Sequence, residues 1–184
     1  MRQQGWTVIE LCVVLAIGAV LAALAFHHLH TLQARLEANR ITSELYQLCL
    51  SARARAAHVK QPLTLCGSLT GQSCDHRWSA GALLFVDKNR NNQIDSADTR
   101  LEYRAFKIDP ARLEWKGFGG KTLSVEAFGT PFASNGSFTY CSADKSPIYS
   151  RQVIVNRSGR VRMSVDKNGD GIHEAVDGED ISCD

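Results

Sequence analysis

An almost unbroken apolar run, Trp6 to Phe26, follows a short polar leader, Met1 to Gln4, and a glycine, Gly5. As a helix its 21 residues rise about 31 Å, which just spans the hydrocarbon core of a bilayer. Beyond it apolar residues recur at Leu29, Leu32, Leu36, Ile41, Leu45, Leu48 and Ala52, and no proline intervenes before Pro62. Steps of three to five make one stripe on a helix. The pattern therefore predicts one continuous helix to about Val59, lipid-facing in its first half and amphipathic in its second. After Pro62 the period shortens to that of strands. Runs rich in β-branched and aromatic residues appear at Leu63–Cys66, Ala82–Val86, Leu101–Phe106, Leu113–Trp115, Leu123–Phe128, Ser137–Cys141, Gln152–Val155 and Val161–Val165, separated by Gly, Asn, Asp and Pro. These predict an antiparallel sheet with the helix over one face, an α+β domain.

One carboxylate, Glu10, interrupts the apolar run. A charge near the bilayer centre costs about 2.5 kcal/mol or more, so this one calls for a partner. A basic leader ending in glycine, with glutamate five residues past it, resembles the type IV pilin class of signal. The resemblance implies cleavage after Gly5 by a prepilin peptidase and methylation of the new Trp6 amine. It also implies that Glu10 answers the Trp6 amine of a neighbouring subunit when helices assemble into a filament. The plainer alternative is a signal anchor with an incidental glutamate. Residues 1–5 are then leader, 6–28 transmembrane helix, 29–60 the amphipathic half of the same helix, and 61–184 a β-rich domain ending in an acidic tail.

A longer series of residues narrows the resemblance. Cys66 and Cys74 are followed by Trp78, Gly81, Phe85 and Asp87-Lys88-Asn89, then by Trp115-Lys116-Gly117-Phe118-Gly119, Phe138-Thr139-Tyr140-Cys141 and Val153-Ile154-Val155-Asn156-Arg157-Ser158-Gly159-Arg160-Val161-Arg162. From Gly5 to Arg162 this order resembles the GspH/FimT family of minor type IV pilins and pseudopilins. The family implies the type IV pilin fold, and other pilins as partners through the N-terminal helix. It also implies a path from a single-pass inner-membrane protein to the periplasm and a cell-surface pilus. A structural pilus subunit, a pilus-tip priming subunit and a type II secretion pseudopilin all fit. No nucleophile elbow, phosphate loop or HExxH is present, so no enzyme motif competes.

Charge sharpens the picture at the far end. Residues 1–165 carry 20 Lys+Arg against 12 Asp+Glu, whereas residues 166–184 carry 1 against 7. Just before that acidic tail stands Gly159-Arg160-Val161-Arg162. Arginines at i and i+2 of a strand share a face, guanidinium forks match phosphate oxygens, and Arg157, Arg151 and Lys145 extend the patch. In the FimT-like branch a glycine–arginine–any–arginine motif is linked to DNA binding in natural transformation, and the match falls on Gly159, Arg160 and Arg162. Such contacts are salt-sensitive and sequence-independent. The competing reading pairs these arginines with carboxylates of the tail or of a neighbouring subunit.

Six cysteines complete the inventory. In an oxidising compartment Cys66 with Cys74, and Cys141 with Cys183, read as disulfides worth about 2.6 and 4 kcal/mol on the loop-entropy model. A metal site at Cys66/Cys74 lacks a second pair at zinc spacing. Cys49 reads as a buried thiol and Cys12 as a small residue facing lipid or helix. His27, His28 and His30 mark a wet step at the membrane edge, or a metal pair at i, i+3. Calcium is the one candidate cofactor: Asp166, Asn168, Asp170, Glu174 and Asp177 have twelve-residue loop spacing, with Gly171 at the sixth position. Asp87, Asn89, Asn91, Asp95 and Asp98 repeat it without the glycine. Both segments equally suit turns in which side chains bond their own backbone.

Overall fold

The computed structural model describes residues 7–131 and 134–183, without the side chains of residues 24–28 and 30. One helix, α1, runs Val8–Val59. It begins on a capping box: the Thr7 hydroxyl accepts the Glu10 amide at 3.3 Å, while the Glu10 carboxylate accepts the Thr7 amide at 2.9 Å. It ends where Lys60 turns to φ 54°, a left-handed step that a helix does not continue.

The chain divides into two compact units, residues 1–37 and 38–184. In the first, the apolar side chains Val8, Ile9, Leu11, Val13, Val14, Leu15 and Ile17 are exposed, as are Leu29, Leu32 and Leu36 of the predicted stripe. Among the described residues no helix is long and apolar enough to cross a membrane. The described side chains of the apolar run are those of residues 8–23. In the second unit the stripe is fully buried at Ala38, Ile41, Leu45, Leu48, Ala52 and Ala56. Burial thus begins at Ala38, nine residues later than the sequence pattern alone placed it.

All eight predicted strands form: β1 Leu63–Gly67, β2 Gly81–Val86, β3 Thr99–Ala105, β4 Arg112–Gly117, β5 Leu123–Val125, β6 Gly136–Cys141, β7 Arg151–Val155 and β8 Val161–Met163. They make two antiparallel sheets rather than one, ordered β3-β2-β1-β5 and β4-β6-β7-β8. The fifth run stops at Val125 because Glu126 and Thr130 close a turn around Gly129, at φ 78°. Both sheets and the buried helix stripe share one core, in which Phe138 meets Trp78 edge-on at 4.8 Å and Trp115 at 4.4 Å.

Strands β1 and β2 are buried at every position, unlike the alternating β4. The reason is a second small core on their other side, where Leu83 and Phe85 pack with Cys66, Cys74, Ile94 and Tyr103. The Cys66–Cys74 disulfide closes it, and Cys141–Cys183 ties the acidic tail to the end of β6. Cys12 and Cys49 are free thiols, the first exposed and the second buried.

Candidate functional site

The β7–β8 connection, Asn156 to Arg160, presents the arginine motif. The Asn156 amide donates to the Arg160 carbonyl at 3.1 Å, and the Gly159 amide donates to the Asn156 carbonyl at 2.9 Å. Inside the turn, the Asn156 side-chain oxygen accepts the Arg160 amide and the Ser158 hydroxyl, both at 2.8 Å. Gly159 takes φ 82° and is buried. A β-carbon there would come within 2.9 Å of Arg53 Nε and 3.0 Å of Pro131 Cδ. The turn therefore rests on α1, and only glycine combines that approach with that backbone conformation.

Arg53 is held in turn by its Nε, which donates to the Gly129 carbonyl at 2.8 Å. Half-buried on α1, it brings a cationic group to the Gly159 turn. Sequence inspection missed it because an arginine a hundred residues upstream, next to Arg55 on a helix, carries no local signal.

Arg157 and Arg160 are exposed and Arg162 is half-buried. Val161 points into the core, so Arg162 on edge strand β8 and Arg160 at the end of the turn before it lie to the outer side. Across the sheet Arg162 stands opposite Ile154, Ile154 opposite Ser137, and Ser137 opposite Lys116, one row of outward positions. Among the described residues none of the three motif arginines forms an ion pair. Arg151 is not displayed alongside them: its guanidinium donates to the carbonyls of Ile148 and Ser150. Lys145, at a left-handed turn position with φ 55°, is exposed.

The acidic tail spends its carboxylates on its own backbone. Asp166 accepts the amides of Gly169 and Gly171 at 2.6 and 2.8 Å, and these hold its carboxyl below the usual range. Asn168 accepts the Asp170 amide, Asp170 accepts that of Ile172, and buried Glu174 accepts the Lys167 amide on both oxygens at 3.0 Å. Asp177 accepts the Glu179 amide. Among the described residues no group of three or more His, Cys, Asp or Glu side chains comes together to hold a metal ion. Each of the five calcium candidates accepts a backbone amide from within the tail.

The Asp87 segment behaves likewise. Asp87 is buried and accepts the Thr64 hydroxyl and the amides of Asn91 and Asn92. Asp95 accepts the side-chain amides of Asn89 and Asn91, and Asp98 the backbone amide of Lys88.

At the other end, Glu10 bonds within its own chain, its carboxylate also accepting the Thr7 hydroxyl at 3.0 Å. Gly5 and Trp6 lie outside the described residues, as do the side chains of His27, His28 and His30.

No curated protein sequence matches the chain. Among solved structures it is similar to the type IV minor pilin FimU of Pseudomonas aeruginosa, with TM-score 0.54 and 17% identity over 71% of this chain and 90% of that one. A second crystal form of FimU gives TM-score 0.53 and 16% identity over 69% and 92%. The minor pseudopilin EpsH of the Vibrio cholerae type 2 secretion system gives TM-score 0.50 and 13% identity over 73% and 99%. At these identities the likeness is one of fold: a long helix with antiparallel sheets, the type IV pilin arrangement. The model of the family described as "Type II transport protein GspH" matches residues 42–159, which run from the buried helix stripe to the glycine of the arginine turn. With that match and that fold, the chain belongs to the GspH family of minor pilins and pseudopilins.

Proposed function

We propose that this chain is a minor type IV pilin that is carried in the pilus and binds DNA without sequence preference, for uptake in natural transformation. The observation that supports this reading best is the arginine display. Arg157, Arg160 and Arg162 stand on a hydrogen-bonded turn and edge strand with no ion pair among the described residues, although the tail that follows is rich in carboxylates. Arg53 adds a further cation beneath the turn. Phosphate contacts of this kind carry affinity and no sequence information.

In the same reading the prepilin peptidase cuts after Gly5, the Trp6 amine is methylated, and residues 6–28 lie in the inner membrane before assembly. Glu10 then exchanges its Thr7 contacts for the Trp6 amine of a neighbouring subunit. The exposed apolar side chains between Val8 and Leu36 suit a helix whose partners are lipid and other pilins. Mass spectrometry of filament-derived protein is expected to find a methylated Trp6 at the N-terminus; an intact Met1 would overturn this.

The test of DNA binding is a gel-shift titration of duplex DNA with the chain lacking residues 1 to about 30, at low salt, beside Arg160→Ala/Arg162→Ala. The native form is expected to bind and the double variant to lose most of its affinity. No shift with the native form removes the DNA reading; equal binding by the variant removes the motif from it.

A second reading, a type II secretion pseudopilin or a pilus-priming subunit without DNA contact, is favoured by the family's description and by the likeness to EpsH. There the arginines meet a neighbouring subunit. Deletion of the gene separates the two, since loss of secretion or of piliation points to the second, and loss of DNA uptake alone to the first.

A further inference from the structure

A cleft of about 610 Å³ lies on the outer face of the β4-β6-β7-β8 sheet, the face that also carries Arg162. Its floor is built from outward positions: Glu114 and Lys116 on β4, Ser137 and Thr139 on β6, and Gln152 on β7. The tail segment 175–183 forms the opposite wall. That wall is fastened at three points: the Cys141–Cys183 disulfide, buried Ile181, and the Ile181 amide donating to the His173 carbonyl at 3.0 Å.

Gln152 is the informative residue. Only 9% exposed, it donates from Nε2 to the Thr139 hydroxyl at 3.0 Å, and its Oε1 is buried with no partner. Turning the amide over moves the unpaired atom from oxygen to nitrogen and does not remove it. An unmatched amide head costs folding free energy unless something outside the chain completes it. Ser137 lines the cleft on the same face. One buried polar group of the cleft is thus unused within the chain.

The charges around the cleft select the class of ligand. Arg112, Glu114 and Lys116 alternate along β4, and Lys145, Asp177 and Asp180 also line the cleft. An anion brought in by the three cations meets three carboxylates, and a metal cation meets the reverse. A hydroxyl group suits every position, because it donates and accepts at once: it donates to Gln152 Oε1 or a carboxylate while accepting from a lysine or arginine. The volume lies within the range of small-molecule sites. We propose that this cleft binds a neutral saccharide of one or two rings, held by Gln152, Ser137, Thr139, Glu114 and Lys116 of its floor. The site is independent of the DNA reading and stands or falls without it.

The test uses the full-length oxidised chain in lauryldimethylamine oxide micelles, a detergent without a sugar headgroup. Saturation-transfer difference NMR is run with glucose, N-acetylglucosamine, maltose and N,N′-diacetylchitobiose as separate probes, and retention on chitin beads tells a polymer ligand from a free one. At least one probe is expected to give signals, with its affinity reduced about tenfold or more in Gln152→Ala, as loss of a buried hydrogen-bonding group implies. If Gln152→Ala does not retain the native fold, the exposed pair Glu114→Ala/Lys116→Ala takes its place, with a loss of the same order expected. No signal and no retention with any probe means that the unpaired amide marks a hydration site only, and overturns the proposal. So does binding that is unchanged in whichever variant decides.

Discussion

Gly159 and Gly169 share nearly one backbone conformation, φ 82° and 83°, in different surroundings. A β-carbon at Gly169 meets nothing within 4 Å, whereas one at Gly159 meets Arg53 and Pro131. Alanine at either position bears the left-handed penalty of about 1–2 kcal/mol. Gly159→Ala adds the collision, so it is expected to destabilise by about 2–4 kcal/mol against about 1–2 for Gly169→Ala, read by denaturant unfolding. Equal losses would show that the turn does not rest on Arg53. This dependence explains what could be read at residue level. The glycine and its arginines are a contiguous motif, but the helix residue beneath them is joined to it only by the fold.

Cys49 gives a second residue-scale expectation. Burial pushes its thiol up to about 12 from 9.0, because the thiolate has no solvation inside the core. A group whose charged form is disfavoured in the folded state makes unfolding easier wherever the unfolded chain can ionise. Stability therefore falls from pH 9.0 towards about 12, at about 1.4 kcal/mol per pH unit. In Cys49→Ala that slope is expected to vanish, whatever stability the lost packing removes. Maleimide at mild alkaline pH is expected to modify Cys49 in guanidinium and to spare it in the native domain.

At the scale of elements, the strands were legible because turn residues punctuate them, and the helix because no proline breaks it. Two things were not. Alternation does not say into how many sheets the strands gather, and the continuous apolar run of β2 records burial on both faces without naming the second core that covers it. Nor does a stripe show where packing starts, since Leu36 and Ile41 read alike while only Ile41 is buried. The tail shows the same limit for chemistry. Oxygen side chains at metal-loop spacing are also at the spacing of successive Asx turns, and the bonds that Asp166 and Glu174 accept from Gly169, Gly171 and Lys167 show the segment bonded to its own backbone.

The tail is an element fastened at both ends, and its fastenings predict how it opens. Cys141–Cys183 closes a loop whose constraint contributes about 4 kcal/mol on the chain-entropy model. Cys183→Ser is expected to lower Tm by on the order of 10 °C for a domain of this size. Near the other end, the Ser164 hydroxyl meets His173 Nδ1 at 3.0 Å. Burial first, then the nearby Arg151 charge, hold His173 below its ordinary value of 6.5. The unfolded chain thus takes up its proton before the folded one. The contribution is present above 6.5 and is lost as pH falls below it. Between about pH 7 and pH 5 the native domain is expected to lose more stability than His173→Gln does, measured by denaturant midpoints. A fall of the same size in both would assign it to other groups.

Across the whole molecule the charges are sorted, with the surplus of cations upstream of residue 166 and that of carboxylates beyond it. Local bonding to backbone amides leaves Asp170 and Glu179 charged and exposed, within the same domain as Arg157 and Arg160. Such charges act on an approaching polyanion through the solvent, over about 10 Å at moderate salt, without touching the arginines. If three arginines neutralise phosphates, the logarithm of the DNA binding constant is expected to fall with that of salt concentration at a slope of about −2.7, and removing Arg160 and Arg162 reduces it to about −1. Neutralising the tail by Asp170→Asn/Glu179→Gln acts differently. Affinity is expected to rise a few-fold at low salt while the slope barely changes, because the number of phosphate contacts is the same. A slope that steepens with the tail variant would mean that those carboxylates occupy the arginines directly in solution, and would move the DNA contact from a standing surface to one that must first be uncovered.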